Sequence, residues 1–140
     1  QISGSNSVVD IPGVETDWHN LSHHGKDPKK IKELAIIEKA HFKSLNGLLD
    51  NLANASENGQ PLLDKTSVVF GSNLGNASSH SWRNIPLLLV GGGFKHKGHI
   101  AGDQENNTPY ANLFVSIAQK MGLEIDSFGS STRAGIKDLV

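Results

Sequence analysis

LLDKTSVVFGSNLGNASSH (Leu62–His80), followed closely by IPLLLVGGG (Ile85–Gly93), holds the two most apolar runs of this 140-residue chain. Val68, Val69 and Phe70 form a β-branched and aromatic centre of the kind that strands favour. Leu87, Leu88, Leu89 and Val90 follow one another with no polar residue between them. Neither run alternates apolar with polar positions, so each reads as a strand covered on both faces. That is the situation of a parallel sheet lying between helices. The expected fold is therefore α/β, with a mostly parallel sheet sandwiched by helices.

The flanking segments supply the helices. Asp27-Pro28 is a helix start, since an aspartate caps free backbone N–H groups and proline suits the first helical position. From there Ile31, Leu34, Ile37 or Ala35, His41 or Phe42, Leu45, Leu48 or Leu49, and Leu52 recur at three and four residues. This spacing predicts a long core-facing helix over residues 28–54. His41 falls on its apolar stripe and is expected to be a core histidine with a hydrogen-bond partner. SENGQPLLDK (Ser56–Lys65) reads as a turn-rich connector. Later, Thr108 and Pro109 mark the start of a second helix that carries Leu113, Phe114, Ile117, Ala118 and Met121 and stops at Gly122. Residues 1–27 are rich in Ser, Gly, Asn and Asp and read as loop, with a short strand around Val8, Val9 and Ile11. One domain over residues 1–140 accommodates all of this.

Composition narrows the function classes. Apolar residues make up 36% and charged residues 19% of the chain, and the net charge is −1, with a sequence pI near 6.7. Such a chain has no broad basic field for a phosphate backbone, so nucleic acid is not an expected partner. Ile85 to Val90 is far too short to span a bilayer, and no membrane insertion is expected. Cysteine is absent, which removes disulfides, cysteine–metal sites and cysteine nucleophiles together. The opening QISGSNSVVD has neither the basic nor the apolar region of a signal peptide and does not begin with Met. It reads as the start of a mature product or of a cut fragment.

The chemistry-bearing residues gather in loops. DWHNLSHHG (Asp17–Gly25) packs His19, His23 and His24, of seven histidines in the chain, beside the carboxylate of Asp17. His19 and His23 stand four apart, a spacing that lets two imidazoles share a helix face or close over one ion. The segment also precedes a helix start, where an oxyanion such as phosphate or sulfate is favoured. A polar loop of surface histidines is the plainer alternative. GSNLGNASSH, beyond the first strand, offers Ser72, Asn73, Asn76, Ser79 and His80. Of these only His80 is a strong metal ligand. GSNLG lacks the G-x-S-x-G elbow of a nucleophilic serine. GGGFKHKGHI (Gly91–Ile100) places Lys95, His96, Lys97 and His99 after three glycines, but with no helix following it reads as a glycine-permitted turn.

Taken together, SHHGKDPKKIKEL, LLDKTSVVFGSNLGNASSH, NIPLLLVGGG, KGHI, TPYANLFVSIAQKMG and DSFGSST resemble a family of uncharacterised exported bacterial proteins, frequent in planctomycetes and marine metagenomes. The similarity covers nearly the whole chain. That family in turn resembles the alkaline phosphatase and sulfatase superfamily, of whose fold this chain would be the C-terminal half. The resemblance implies export to the periplasm or beyond. It also implies a first metal-ligand pair at His19 and His23, with Asp17 as a shifted carboxylate, and a last ligand at His80. Where the superfamily keeps Asp-His after the strand this chain has Asn73-Leu74, and leucine cannot ligate a metal.

Two functional expectations follow. One is a binding or structural chain with degenerate metal motifs, holding at most one divalent zinc, iron or manganese ion through His19, His23 or His24, and His80. The other is a metal-dependent phosphate or sulfate ester hydrolase, active only in company with a missing nucleophile-bearing half. Exposed strand edges would in either case favour homo-oligomers.

Overall fold

The computed structural model describes residues 7–96, 98–136 and 139. The first residues of the N-terminal loop and Lys97 of the glycine-rich segment lie outside them. In chain order the elements are α1 (Trp18–Ser22), α2 (Pro28–Asn54), β1 (Ser56–Glu57), β2 (Gln60–Pro61), α3 (Leu62–Lys65), β3 (Ser67–Gly71), β4 (Leu87–Gly91) and α4 (Ala111–Lys120).

Helix α2 runs over the residues that its sequence signals mark. The Asp27 side chain accepts the Lys29 N–H at 2.8 Å, and Pro28 occupies the first turn. Its buried positions, Ile37 and Leu45, lie on the predicted stripe. The stripe is only partly covered: Leu48 is 48% exposed, and Phe42, at its margin, 52%. His41 differs from expectation, since its Nε2 is buried without a hydrogen-bond partner among the described residues. The connector contains a small hairpin, with Asn58 and Gly59 both at positive φ between β1 and β2. An Asn-Gly pair in this conformation makes the tight turn whose twist matches paired strands.

Among the described residues there is no parallel sheet. The described strands form two separate two-stranded ladders, and β3 pairs with β4 antiparallel, Ser67 opposite Gly91 and Gly71 opposite Leu87. This arrangement is not the parallel-sheet sandwich of an alkaline-phosphatase type. The cause lies in the connection. A parallel partner needs a crossover, usually a helix, whereas residues 72–86 wind through tight turns and return alongside the strand they left. The Ser72 N–H donates to Pro86 O at 3.4 Å where the ladder closes. Unbroken apolar runs do not report direction, and here they do not report full burial either, since no residue of β3 or β4 is fully buried.

Both faces of the ladder do meet helices. In an antiparallel pair, opposed residues point to the same side. Leu87 and Leu89 pack into a cluster built on Phe94, Leu113 and Leu139, with Tyr110, Ile117 and Ile136 beside it. On the opposite face Phe70 meets Phe42 of α2, ring centroids 5.4 Å apart. A second cluster lies at the other end of α2, where Val14, Leu21 and Ile37 are buried against Val9, Ile11, Trp18, Leu34 and Ile36. No strand forms around Val8, Val9 and Ile11. Ile11-Pro12-Gly13-Val14 is instead a turn closed by the Val14 N–H on Ile11 O at 3.0 Å, with Gly13 at φ +87°. Glu33 of α2 fastens this segment by accepting the backbone N–H groups of Glu15 and Thr16.

The last helix starts later than Thr108-Pro109 predicts. Asn112 N–H donates to Pro109 O and Leu113 N–H to Tyr110 O, so a tighter turn precedes α4 and Tyr110 stands at its cap without a side-chain bond. Its end is as expected. Gly122, at φ +88°, donates to Gln119 O while Leu123 donates to Ala118 O, the paired bonds of a left-handed helix stop. No helix of the described residues is long and apolar enough to cross a membrane.

Candidate functional site

The segment read as a histidine loop folds as α1, a five-residue helix. Asp17 is its N-cap: one carboxylate oxygen accepts the Asn20 N–H at 3.0 Å, and the other accepts the Asn20 side-chain amide. These bonds, the backbone one foremost, hold the Asp17 carboxyl below its ordinary pKa, with a lesser contribution from the charge of His19. Asp17 thus spends its carboxylate on the helix. Leu21, fully buried, anchors the inner side of α1, a burial worth about 1.5–3 kcal/mol.

With that side fixed, His19 and His23 fall one helical turn apart. Their ring centroids are 4.9 Å apart and the rings are tilted by 49°. His23 is the C-cap residue, its N–H donating to His19 O at 3.3 Å. His24 goes elsewhere: its Nδ1 accepts the Lys26 N–H at 3.0 Å in the turn that leads to α2.

His80 arrives from the connection between β3 and β4. Gly75 and Asn76 donate to Ser81 O, Ser81 donates back to Asn76 O, and His80 N–H donates to Ala77 O at 3.1 Å. A Cβ on Gly75 would collide with the backbone carbonyl of Arg83, so only glycine fits this turn. The turn places His80 at φ +51°, a left-handed conformation uncommon for a residue with a side chain. The loop reaches α1, with Ser78 Oγ donating to Ser22 O at 3.5 Å. There the imidazole of His80 meets that of His23, Nε2 to Nε2 at 3.2 Å and centroids 4.9 Å apart.

The structure thus brings together His19, His23 and His80, the last across a sequence separation of 57. It does not bring Asp17 or His24 to the same point. Two imidazole nitrogens bound to one tetrahedral zinc stand about 3.3 Å apart, given bonds of about 2.0–2.1 Å. The observed separation of 3.2 Å is close to that span, with the two nitrogens facing each other as a hydrogen-bonded pair. Among the described residues no group of three or more His, Cys, Asp or Glu side chains is arranged to hold a metal, so the pair is a two-nitrogen donor set with His19 adjoining it.

The other polar groups of the loop serve its own turns. Ser72 Oγ accepts the Leu74 N–H and Asn76 Oδ1 accepts the Ser79 N–H, both at 3.1 Å. In the glycine-rich segment Gly91, Gly92 and Gly93 all have positive φ, and His96 Nε2 contacts Gly91 O at 3.0 Å. Its described residues are tied to other segments as well, Gly92 N–H donating to Leu63 O and Lys95 N–H to Leu139 O, both at 3.0 Å. Sequence reasoning missed one feature that builds the site, the helix α1; its signal was Asp17 three residues before Asn20.

Compared with family models, with curated proteins and with solved structures, the chain finds no match.

Proposed function

We propose that this chain is a binding module that takes one divalent transition-metal ion between His23 and His80, with His19 adjoining. The observation that carries the reading is the Nε2 to Nε2 separation of 3.2 Å between residues from two distant segments. Imidazole nitrogen suits zinc and iron better than it suits magnesium or calcium, which prefer oxygen. A bound ion would supply Lewis acidity and open positions for water or a small anion such as phosphate or sulfate. The residues themselves hold the ion and join the 72–86 connection to α1.

The proposal is for binding rather than turnover. The hydroxyls flanking the pair are engaged with backbone: Ser22 Oγ donates to His19 O at 2.7 Å, and Ser78 Oγ to Ser22 O. The family resemblance read from the sequence supports the same choice of residues and adds export from the cytoplasm to the reading.

Titration of metal-stripped protein with zinc and with cobalt, whose visible absorption reports nitrogen coordination, tests the proposal. One ion per chain is expected, lost in His23→Ala and in His80→Ala and weakened in His19→Ala. Saturation at a hundredfold excess over Kd should raise stability by about 2.7 kcal/mol. Binding that survives both His23→Ala and His80→Ala, or no binding at all, would overturn it.

A further inference from the structure

We propose that α4 carries a peptide-docking groove, filled by the chain's own residues 126–136 with Leu139, which takes the same segment from a second copy when this strap lifts. The observation is a stripe of three polar side chains, Asn112, Ser116 and Gln119, spaced four and three apart along one side of α4. Each bonds to main-chain atoms of the segment that follows the helix. Asn112 Oδ1 accepts the Thr132 N–H at 2.9 Å and Ser116 Oγ accepts the Ile136 N–H at 2.7 Å. Gln119 Nε2 donates to Ile125 O at 2.8 Å, where the segment leaves the helix. Asn112 and Ser116 are wholly buried. Beside them Phe94, Leu113 and Ile117 form an apolar floor that receives Ile136 and Leu139. Main-chain bonds that give hold, joined to apolar recesses that give choice, are a recurring means of peptide recognition.

The segment is an occupant of this groove rather than part of its wall. Among the described residues it forms no helix or strand, so no ladder holds it. Thr132, Arg133 and Ala134 are exposed, and Phe128 is 55% exposed, so these side chains build no core of their own. The anchors on the groove side are polar. A close apolar cover would leave Asn112 and Ser116 unpaired, whereas lifting the strap hands them to water and avoids the cost of an orphaned buried group. A segment held in this way opens locally, ahead of the rest of the fold. Gly135 sets the register. It is buried at φ +99°, and a Cβ on it would stand 2.6 Å from Ser116 Oγ. The groove thus reads glycine, then isoleucine, then leucine three residues on, a pattern the chain carries once, at residues 135–139. A second copy offers that pattern unchanged, and exchange of one identical segment between copies is a low-cost route to association.

Fluorescence anisotropy with a labelled peptide of residues 126–140, added to the full chain, tests this together with hydrogen exchange on the chain alone. The tethered strap competes at an effective concentration of about 1 mM, so the unaltered chain is expected to take the peptide weakly. Gly135→Ala, which displaces the chain's own strap, is expected to tighten peptide binding about tenfold or more by freeing the groove. Adding Ser116→Ala to that variant should remove the gain, and a peptide carrying Gly135→Ala should not bind. In the unaltered chain the amides of Thr132 and Ile136 are expected to exchange about 100-fold faster than those in the middle of α2. Equal peptide affinity for the unaltered chain and a folded Gly135→Ala chain would overturn the proposal. So would Thr132 and Ile136 amides that exchange no faster than α2, a result that needs no variant to fold.

Discussion

His80 adopts φ +51°, and that single angle sets the residue apart from its neighbours. A side chain in the left-handed region costs about 1–2 kcal/mol relative to a relaxed backbone, a cost glycine escapes. The strain is held by the turn around Gly75 and Ser81, and its effect is to carry the imidazole toward His23. Replacing His80 with glycine should therefore stabilise the metal-free chain in chemical denaturation by about 0.5–1 kcal/mol while abolishing ion binding. A destabilised His80→Gly would show that the ring's contacts outweigh the strain. His41 is the converse case. Its sequence position said core, but the residue is half-buried and its Nε2, closed off from solvent, lacks the partner that the apolar stripe gave reason to expect among the described residues. A stripe identifies which residues turn inward; the partners waiting there come from other elements and leave no mark on the stripe.

Among the elements, the ones legible in sequence were those whose signals are local. α2 carries its cap, its proline and its period within its own residues, so its limits could be read directly. α1 is too short for any period to show, and its stability rests on Leu21 and on Asp17. Because the Asp17 carboxyl is held below 3.8 in the folded chain, its contribution is present above the unfolded pKa and is lost as pH falls through the lower folded value. Asp17→Asn should flatten the fall of stability below pH 3.8 and loosen α1, and so weaken ion binding at neutral pH. Denaturant midpoints on either side of that pH, for both proteins, check the sign. Strand direction was the element property that sequence withheld. It depends on how residues 72–86 turn, and a chain that twice enters the left-handed region, at His80 and Asn84, announces this only weakly through its polar residues. The candidate site was half legible for the same reason. The spacing of His19 and His23 is visible, whereas the approach of His80 is made by that connection.

For the molecule as a whole, the apolar interior is divided. The cluster around Val14, Leu21 and Ile37 shares no residue with the cluster around Phe94, Leu113 and Leu139. Each is small, and neither alone resembles the single large core that 140 residues can build. Ile37→Ala and Leu113→Ala should each cost about 2–5 kcal/mol, and the double variant should lose the sum, since separate sites add within about 0.5 kcal/mol. Coupling well beyond that would mean that the two clusters unfold as one. The sequence led to a parallel sheet sandwiched by helices, and the described strands contradict it: β3 and β4 pair antiparallel, with Phe42 against one face and the α4 cluster against the other. What it could not convey is that the sheet between them, within one chain, is two strands wide.

The contact of His23 with His80 has a consequence for the unfolded chain. The two residues are 57 apart in sequence, so an ion bonded to both rings would close a large ring in a protein that has no cysteine. Closing a ring of that length removes about 4 kcal/mol of chain entropy from the denatured ensemble if the bond persists there. Such a tie acts as a disulfide does, with one difference of control: it is indifferent to redox conditions and is opened by a chelator.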